Sequence, residues 1–160
     1  MGQQSKVAQA RETPLLTTKM KNRIIALYGS QEVGKTTSLK LLLGLLRAMP
    51  GVEAEIILDG IDVRAVVRIG TRWIGIESQG DPSSRLPDGL RDLVSSGCTV
   101  IVCATRNWGA TCAVVDEYSH THEIEWVHKR RADEAEDLDL INSLCAKDLL
   151  SKTLGPPTDR

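Results

Sequence analysis

The chain has no phenylalanine, and three tryptophans with two tyrosines bring its aromatic share to only 3% of 160 residues. Any core must therefore be built from Leu, Ile and Val. Trp73, Trp108 and Trp126 are scattered and do not form the stacking platform that single-stranded nucleic acid needs. Charge of one sign is missing too: 20 basic residues face 21 acidic ones, for a net charge of −1. Nucleic acid is thereby disfavoured as a partner, because domains that coat it are usually clearly basic. The run Lys129-Arg130-Arg131 is too short to alter that reading.

No apolar run nears the roughly 20 residues of a membrane-spanning helix. The longest, Leu41 to Leu46, is interrupted by Gly44 and framed by Lys40 and Arg47. Residues Met1 to Ala10 lack the apolar stretch of a secretory signal. The four cysteines (Cys98, Cys103, Cys112, Cys145) form no C-x-x-C pair and read as reduced intracellular thiols. Cys103, inside an apolar run, reads as a small core residue. Zinc around Cys112, His120 and His122 would need a regular spacing that is absent, and His120-Thr121-His122 reads as a solvated pair. The expectation is a soluble cytoplasmic protein without membrane contact.

Hydrophobic residues at 41% and charged ones at 26% suit one globular domain. Residues 1–20, without apolar periodicity, read as a flexible leader whose basic residues suit an acidic partner or, more simply, water. Residues 21–153 form the domain, and residues 154–160, with Pro156-Pro157, read as a flexible tail. Within the domain apolar runs alternate with helical stretches. Ile24 to Tyr28 suits a buried strand and Lys35 to Met49 a helix that stops at Pro50-Gly51. Glu55 to Leu58 is a second strand. Val63, Ala65, Val67 and Ile69 alternate with Arg64 and Arg68, and Gly70-Thr71 turns the chain into Arg72 to Ile76, a hairpin.

A short helix from about Pro87 to Ser95, a buried strand from Cys98 to Ala104, a helix near Gly109 to Tyr118 and a strand from Glu123 to Val127 follow. The last helix is expected from Asp133, with Glu134, Glu136 and Asp137 at its positive end. Leu138, Ile141, Leu144, Cys145 and Leu149 would line its inner face. The sum is an α/β fold: a mostly parallel sheet of about six strands with one antiparallel hairpin, between two layers of helices.

Gly29-Ser30-Gln31-Glu32-Val33-Gly34-Lys35-Thr36 fits G-x-x-x-x-G-K-[ST], with a strand before it and a helix after it. In such a loop the glycines let the backbone curl around a phosphate, and amides plus the helix N-terminus converge on the anion. Lys35 would reach the β and γ phosphates, and the Thr36 hydroxyl would ligate Mg²⁺, with Thr37 beside it. This strand–loop–helix resembles the P-loop NTPase superfamily over about residues 23 to 127. The resemblance implies a three-layer P-loop sandwich and nucleoside triphosphate binding.

An acid must also serve the metal. Ligands collect at the carboxyl ends of parallel strands, which leaves Asp59, Glu77 and Asp81. Glu77-Ser78-Gln79-Gly80-Asp81 is similar to the D-x-x-G loop of switch-type NTPases, where a glycine N–H senses the γ-phosphate. That resemblance favours Glu77 and Asp81 jointly over Asp59, and it makes Gly80 a phosphate-sensing position. At the end of the strand before residue 105, Arg106 can stabilise charge on a γ-phosphate, while Thr105 or Asn107 can sense it. The N-K-x-D of guanine-specific GTPases is absent, so ATP is favoured over GTP.

The motif order looks like that of small bacterial P-loop proteins described only as ATP-binding or hypothetical, and by motif match it adds Gly109 and Thr111 as site positions. The function expected is a slow Mg²⁺-dependent ATPase or nucleotide-dependent switch read by a protein partner, with a homo-oligomer left open. A second reading is a small-molecule kinase. Leu58-Asp59-Gly60-Ile61-Asp62-Val63-Arg64 is similar to a segment of adenylylsulfate kinases, which would make Asp59 a general base toward a hydroxyl acceptor.

Overall fold

The computed structural model describes residues 21–155. The expected leader, residues 1–20, and residues 156–160 of the expected tail lie outside the described residues. The elements in chain order are β1 (Arg23–Tyr28), α1 (Lys35–Arg47), β2 (Glu53–Asp59), β3 (Val63–Ile69), β4 (Arg72–Glu77), α2 (Leu86–Ser95), β5 (Val100–Thr105), α3 (Ala110–Asp116), β6 (Glu123–His128) and α4 (Leu138–Leu154).

The six strands make one mixed sheet in the order β2-β3-β4-β5-β1-β6. β1 pairs in parallel with β5 and β6, and β4 with β5. The expected hairpin β3–β4 is present, but β2 is also antiparallel to β3, so the antiparallel part is a three-stranded meander. The connection explains the difference. Only residues 60–62 join β2 to β3, whereas a parallel crossover takes a dozen residues or more.

Alternation along β1 splits the core into two layers. Ile25 and Leu27 face Leu39, Leu42 and Leu46 of α1 and Ala146 and Leu149 of α4. Ile24 and Ala26 face the other way, toward Leu86, Leu90 and Leu93 of α2 and Val115 of α3. Both faces of the central strands are therefore covered, which is why they read as continuous apolar runs. Among the described residues no helix is long and apolar enough to cross a membrane.

Three expectations need correction. α4 begins at Leu138, not Asp133, because Asp137 caps it by accepting from the N–H groups of Asp139 (2.9 Å) and Leu140 (3.3 Å). Upstream, Glu136 pairs with Arg130 and accepts from the Asp133 N–H, which closes a turn instead of a helix. The inner face of α4 is Asn142, Ala146, Leu149 and Thr153, while Leu138 and Leu144 are 47% and 53% exposed. Apolar residues lie on several sides of this helix, so its own sequence pattern chooses no face; close packing on α1 does. Finally, His122 is buried, set edge-on to Tyr118 with Nδ1 against the Thr121 hydroxyl, so of the expected solvated pair His120 alone is exposed.

Candidate functional site

The segment between β1 and α1 curls tightly, with Glu32 at φ 62° and Gly34 at φ 100°. The left-handed region suits glycine at residue 34, and a second constraint acts there. A Cβ on Gly34 would fall on the Asn142 Oδ1 atom of α4. The first helical bond of α1, Ser38 N–H to Gly34 C=O, spans 2.9 Å.

Two buried ammonium groups hold the carbonyls of this loop. Lys35 donates to the Gly29 carbonyl and, at 3.1 Å, to that of Ser30. Lys129, just past the end of β6, donates to the Val33 carbonyl at 2.7 Å. Burial lowers the Lys35 pKa from 10.5 to about 8; the Asp81 carboxylate pulls it back up, and the Arg106 guanidinium adds to the drop. The result is a concentrated positive charge with no carboxylate within ion-pair distance among the described residues.

Beside the loop lies a cavity of about 450 Å³. Gln31, Glu32, Gly34, Lys35, Thr36 and Thr37 form one wall; Gly80 and Asp81, after β4, form another. Of the predicted residues, these eight are brought together. Gly29 and Val33 are buried in the base of the loop. Gly80 packs so closely on the end of β5 that a Cβ would collide with the Ala104 carbonyl.

Glu77 is placed differently. β5 stands between β1 and β4, so the ends of β1 and β4 are about 10 Å apart. The Glu77 side chain is fully buried and does not line the cavity. Its Oε1 meets Arg64 Nε at 2.5 Å, and its Oε2 accepts the Gln79 N–H at 3.0 Å. Burial pushes its carboxyl above the ordinary value, while the Gln79 N–H and Arg64 pull the other way. Glu77 thus holds the start of the 78–81 loop from below.

Asp59 ends the edge strand β2, is exposed, and also stays off the cavity wall. Asp62, three residues on, lines it instead. Asp62 Oδ1 accepts from the Ser78 hydroxyl at 3.1 Å, and Ser78 Oγ accepts the Val63 N–H at 2.8 Å. Ser78, Ile61, Leu138 and Asn142 complete the lining. None of these was marked for the site by the sequence. The useful signal for Asp62 was its place just before β3, beside the end of β4 that carries Ser78.

Arg106 donates through Nε to Asp81 Oδ1 at 2.9 Å, tying the loop after β5 to the loop after β4. With Ser30, Asn107, Trp108 and Gly109 it borders a smaller cavity of about 230 Å³. Thr111 accepts the Arg106 N–H at 3.0 Å, and buried Thr105 donates to the Arg106 carbonyl at 2.9 Å, so both shape the turn. Trp108 is 82% exposed at its tip. A larger cavity, about 660 Å³, lies over the outer strands at Glu53, Glu55, Arg68 and Trp73, far from the predicted residues.

The chemistry of the main cavity follows from its walls. An ammonium, a helix N-terminus and a tightly curled loop favour an anion. The Thr36 hydroxyl and the Asp62 and Asp81 carboxylates supply hard oxygen donors within the same space. Comparison with protein-family models, with curated proteins and with solved structures finds no match.

Proposed function

We propose that this chain is a P-loop nucleoside-triphosphate-binding protein that takes ATP with Mg²⁺. One observation carries the reading. The loop 29–34 joins the central parallel strand β1 to the N-terminus of α1, and Lys35 is buried against it beside a 450 Å³ cavity. Lys35 would leave the Gly29 and Ser30 carbonyls for the β and γ phosphates, regaining as an ion pair what it now has as neutral acceptors. Thr36, Asp81 and Asp62 are the residues that fit Mg²⁺. Among the described residues no three His, Cys, Asp or Glu side chains are placed to hold a metal, so its other ligands would come from phosphate and water. Bound there, the cation would supply charge neutralisation to the phosphates.

The arrangement suits a slow ATPase or a nucleotide-dependent switch read by a partner. Glu77, held by Arg64, fixes the base of the 78–81 loop, while the exposed Asp81 carboxylate is tied to Arg106. A γ-phosphate that drew Arg106 to itself would free Asp81, and the loop would then respond to nucleotide state. Catalysis by Arg106 would consist of stabilising charge on the transferred phosphoryl group. A small-molecule kinase is the second reading. Asp62, not Asp59, supports it, since Asp62 lines the cavity and can accept a proton from an acceptor hydroxyl.

Isothermal calorimetry with Mg-ATP tests the shared claim. Wild-type protein should bind, and Lys35→Ala should lose at least about tenfold in affinity, as expected for removing one charged contact to phosphate. Undiminished affinity in Lys35→Ala refutes the site. Phosphate release without an added acceptor separates the ATPase from the kinase.

A further inference from the structure

Lys129 follows the last residue of β6 and is 2% exposed. Among the described residues no carboxylate comes within ion-pair distance of it. A buried ammonium without a counter-charge costs the fold free energy that a methionine of the same length would not. What Lys129 meets instead is the loop between β1 and α1. Its backbone N–H donates to the Tyr28 carbonyl at 2.7 Å, just before the loop. Its Nζ donates to the Val33 carbonyl at 2.7 Å, near the loop's other end, and to the Arg130 carbonyl at 3.3 Å. One residue thus grips the loop at both ends. Gly29 fits against it for want of a side chain, since a Cβ there would lie 2.7 Å from the Lys129 carbonyl oxygen.

The bond to Val33 decides which way one peptide unit faces. In a trans peptide the C=O and the N–H that follows it point in opposite directions, and the described peptide bonds are all trans. Neither Val33 nor Lys129 lines the 450 Å³ cavity, but Gly34 does. With the Val33 carbonyl turned to the buried ammonium, the Gly34 N–H is turned to the cavity. Gly34 does not enforce this by itself. Glycine takes φ 100° and negative φ values at similar cost, so its own chemistry leaves the 33–34 peptide free to flip. Flipped, that unit would set a carbonyl oxygen against an anion. The N–H groups of Gly34, Lys35, Thr36 and Thr37 meet no acceptor among the described residues, and no side chain caps α1. They are the donors that an oxyanion takes. Lys35 grips residues 29 and 30 and must leave them to meet a phosphate, so it cannot hold the 33–34 unit in place.

We propose that Lys129 is a positioning residue of the phosphate loop: its ammonium, bonded to the Val33 carbonyl, keeps the Gly34 N–H aimed at a phosphate oxygen. It does so before the ligand arrives and after Lys35 has moved onto it. The assignment rests on the phosphate-binding reading above and deepens it by separating the work of two lysines. Lys35 touches the ligand; Lys129 touches the loop alone.

The experiment compares wild type with Lys129→Met, which keeps the apolar stem and removes the donors. Calorimetry reads affinity for tripolyphosphate and for Mg-ATP, and amide NMR follows the Gly34 proton as tripolyphosphate is added. In wild type that proton should move strongly downfield, as an amide does on bonding to an anion. Lys129→Met should bind both ligands about tenfold more weakly, the loss of one charge-assisted hydrogen bond, and its Gly34 proton should not make the downfield move at saturation. Undiminished affinity in the variant overturns the proposal. So does weaker binding with the Gly34 shift intact, which would assign the loss to the missing charge and leave the loop's shape independent of Lys129. If Lys129→Met fails to fold, lysine-ammonium NMR on wild type decides. The Lys129 signal should hold its position as tripolyphosphate is added while that of Lys35 moves; a Lys129 signal that moves as far overturns the assignment. Wild-type protein that takes up neither ligand overturns the phosphate-binding reading itself, whereas the preceding failures leave that reading standing.

Discussion

Replacing Arg64 with Met tests the buried framework under the site without relying on any view of the ligand. Arg64 has 10% side-chain exposure and Glu77 none, so removing the guanidinium leaves a carboxylate stripped of both water and its counter-charge. Breaking a buried pair from one side costs about 3–5 kcal/mol, against a total stability of about 5–15 kcal/mol for a domain. For a chain of this size that corresponds to a melting temperature lower by about 10 °C. Urea unfolding followed by circular dichroism measures it. Acid should partly rescue the variant. Burial already holds the Glu77 carboxyl above its ordinary value, and loss of Arg64 raises it further. Between the unfolded value of 4.5 and that raised value the folded state binds more protons, so stability contributed by this group falls as pH rises through the window. The deficit of Arg64→Met should therefore shrink as pH falls from 7 toward 5. The double variant Arg64→Met/Glu77→Leu should recover most of the loss, because an apolar pair demands no desolvation of charge. A single variant within about 1 kcal/mol of wild type, or a double variant as unstable as the single, refutes the argument.

Two further outcomes follow. Lys35, with its pKa lowered to about 8, should make affinity for Mg-ATP decline above that pH, since a bound phosphate needs the ammonium and binding must then take up a proton. Calorimetry at pH 7 and pH 9 should show roughly a tenfold fall that Lys35→Ala lacks; a flat wild-type profile contradicts the buried lysine. For stability the sign is opposite: between about 8 and 10.5 the unfolded state binds more protons, so Lys35 lets stability rise with pH. Gly80→Ala forces a methyl group onto the Ala104 carbonyl and should lower stability by about 1–3 kcal/mol in urea unfolding; an unchanged midpoint would show that the 78–81 loop yields freely.

Much of this architecture is legible in the chain because both kinds of evidence coincide at β1 and α1. An apolar run, a glycine-bounded loop and a stretch of helix formers specify the same break points. Legibility ends where partners distant in sequence decide. Arg64 alternates with valines in β3 and reads as a solvent-facing residue, yet it is 8% exposed because Glu77, thirteen residues on, lies opposite it in the antiparallel register. The same pairing withdraws Glu77 from the cavity. The sequence points to Asp59, at the end of an apolar run, but the turn at residues 60–62 places Asp62 on the wall instead. Asn142 seems an ordinary polar position in a helix, and its contact with Gly34 joins residues 108 apart.

The outermost strand has a consequence for how copies of this chain behave toward each other. β2 is exposed along nearly its whole length, and among the described residues no strand pairs with its outer side, which offers amides and carbonyls to any extended neighbour. Ile56, Ile57 and Leu58 would reward such fibril-like pairing. Glu53, Glu55 and Asp59 oppose it, because a head-to-tail match of two β2 strands centred on Ile56 sets Glu53 against Asp59. Resistance to aggregation at this rim is therefore electrostatic, and dissolved salt weakens it by screening those charges.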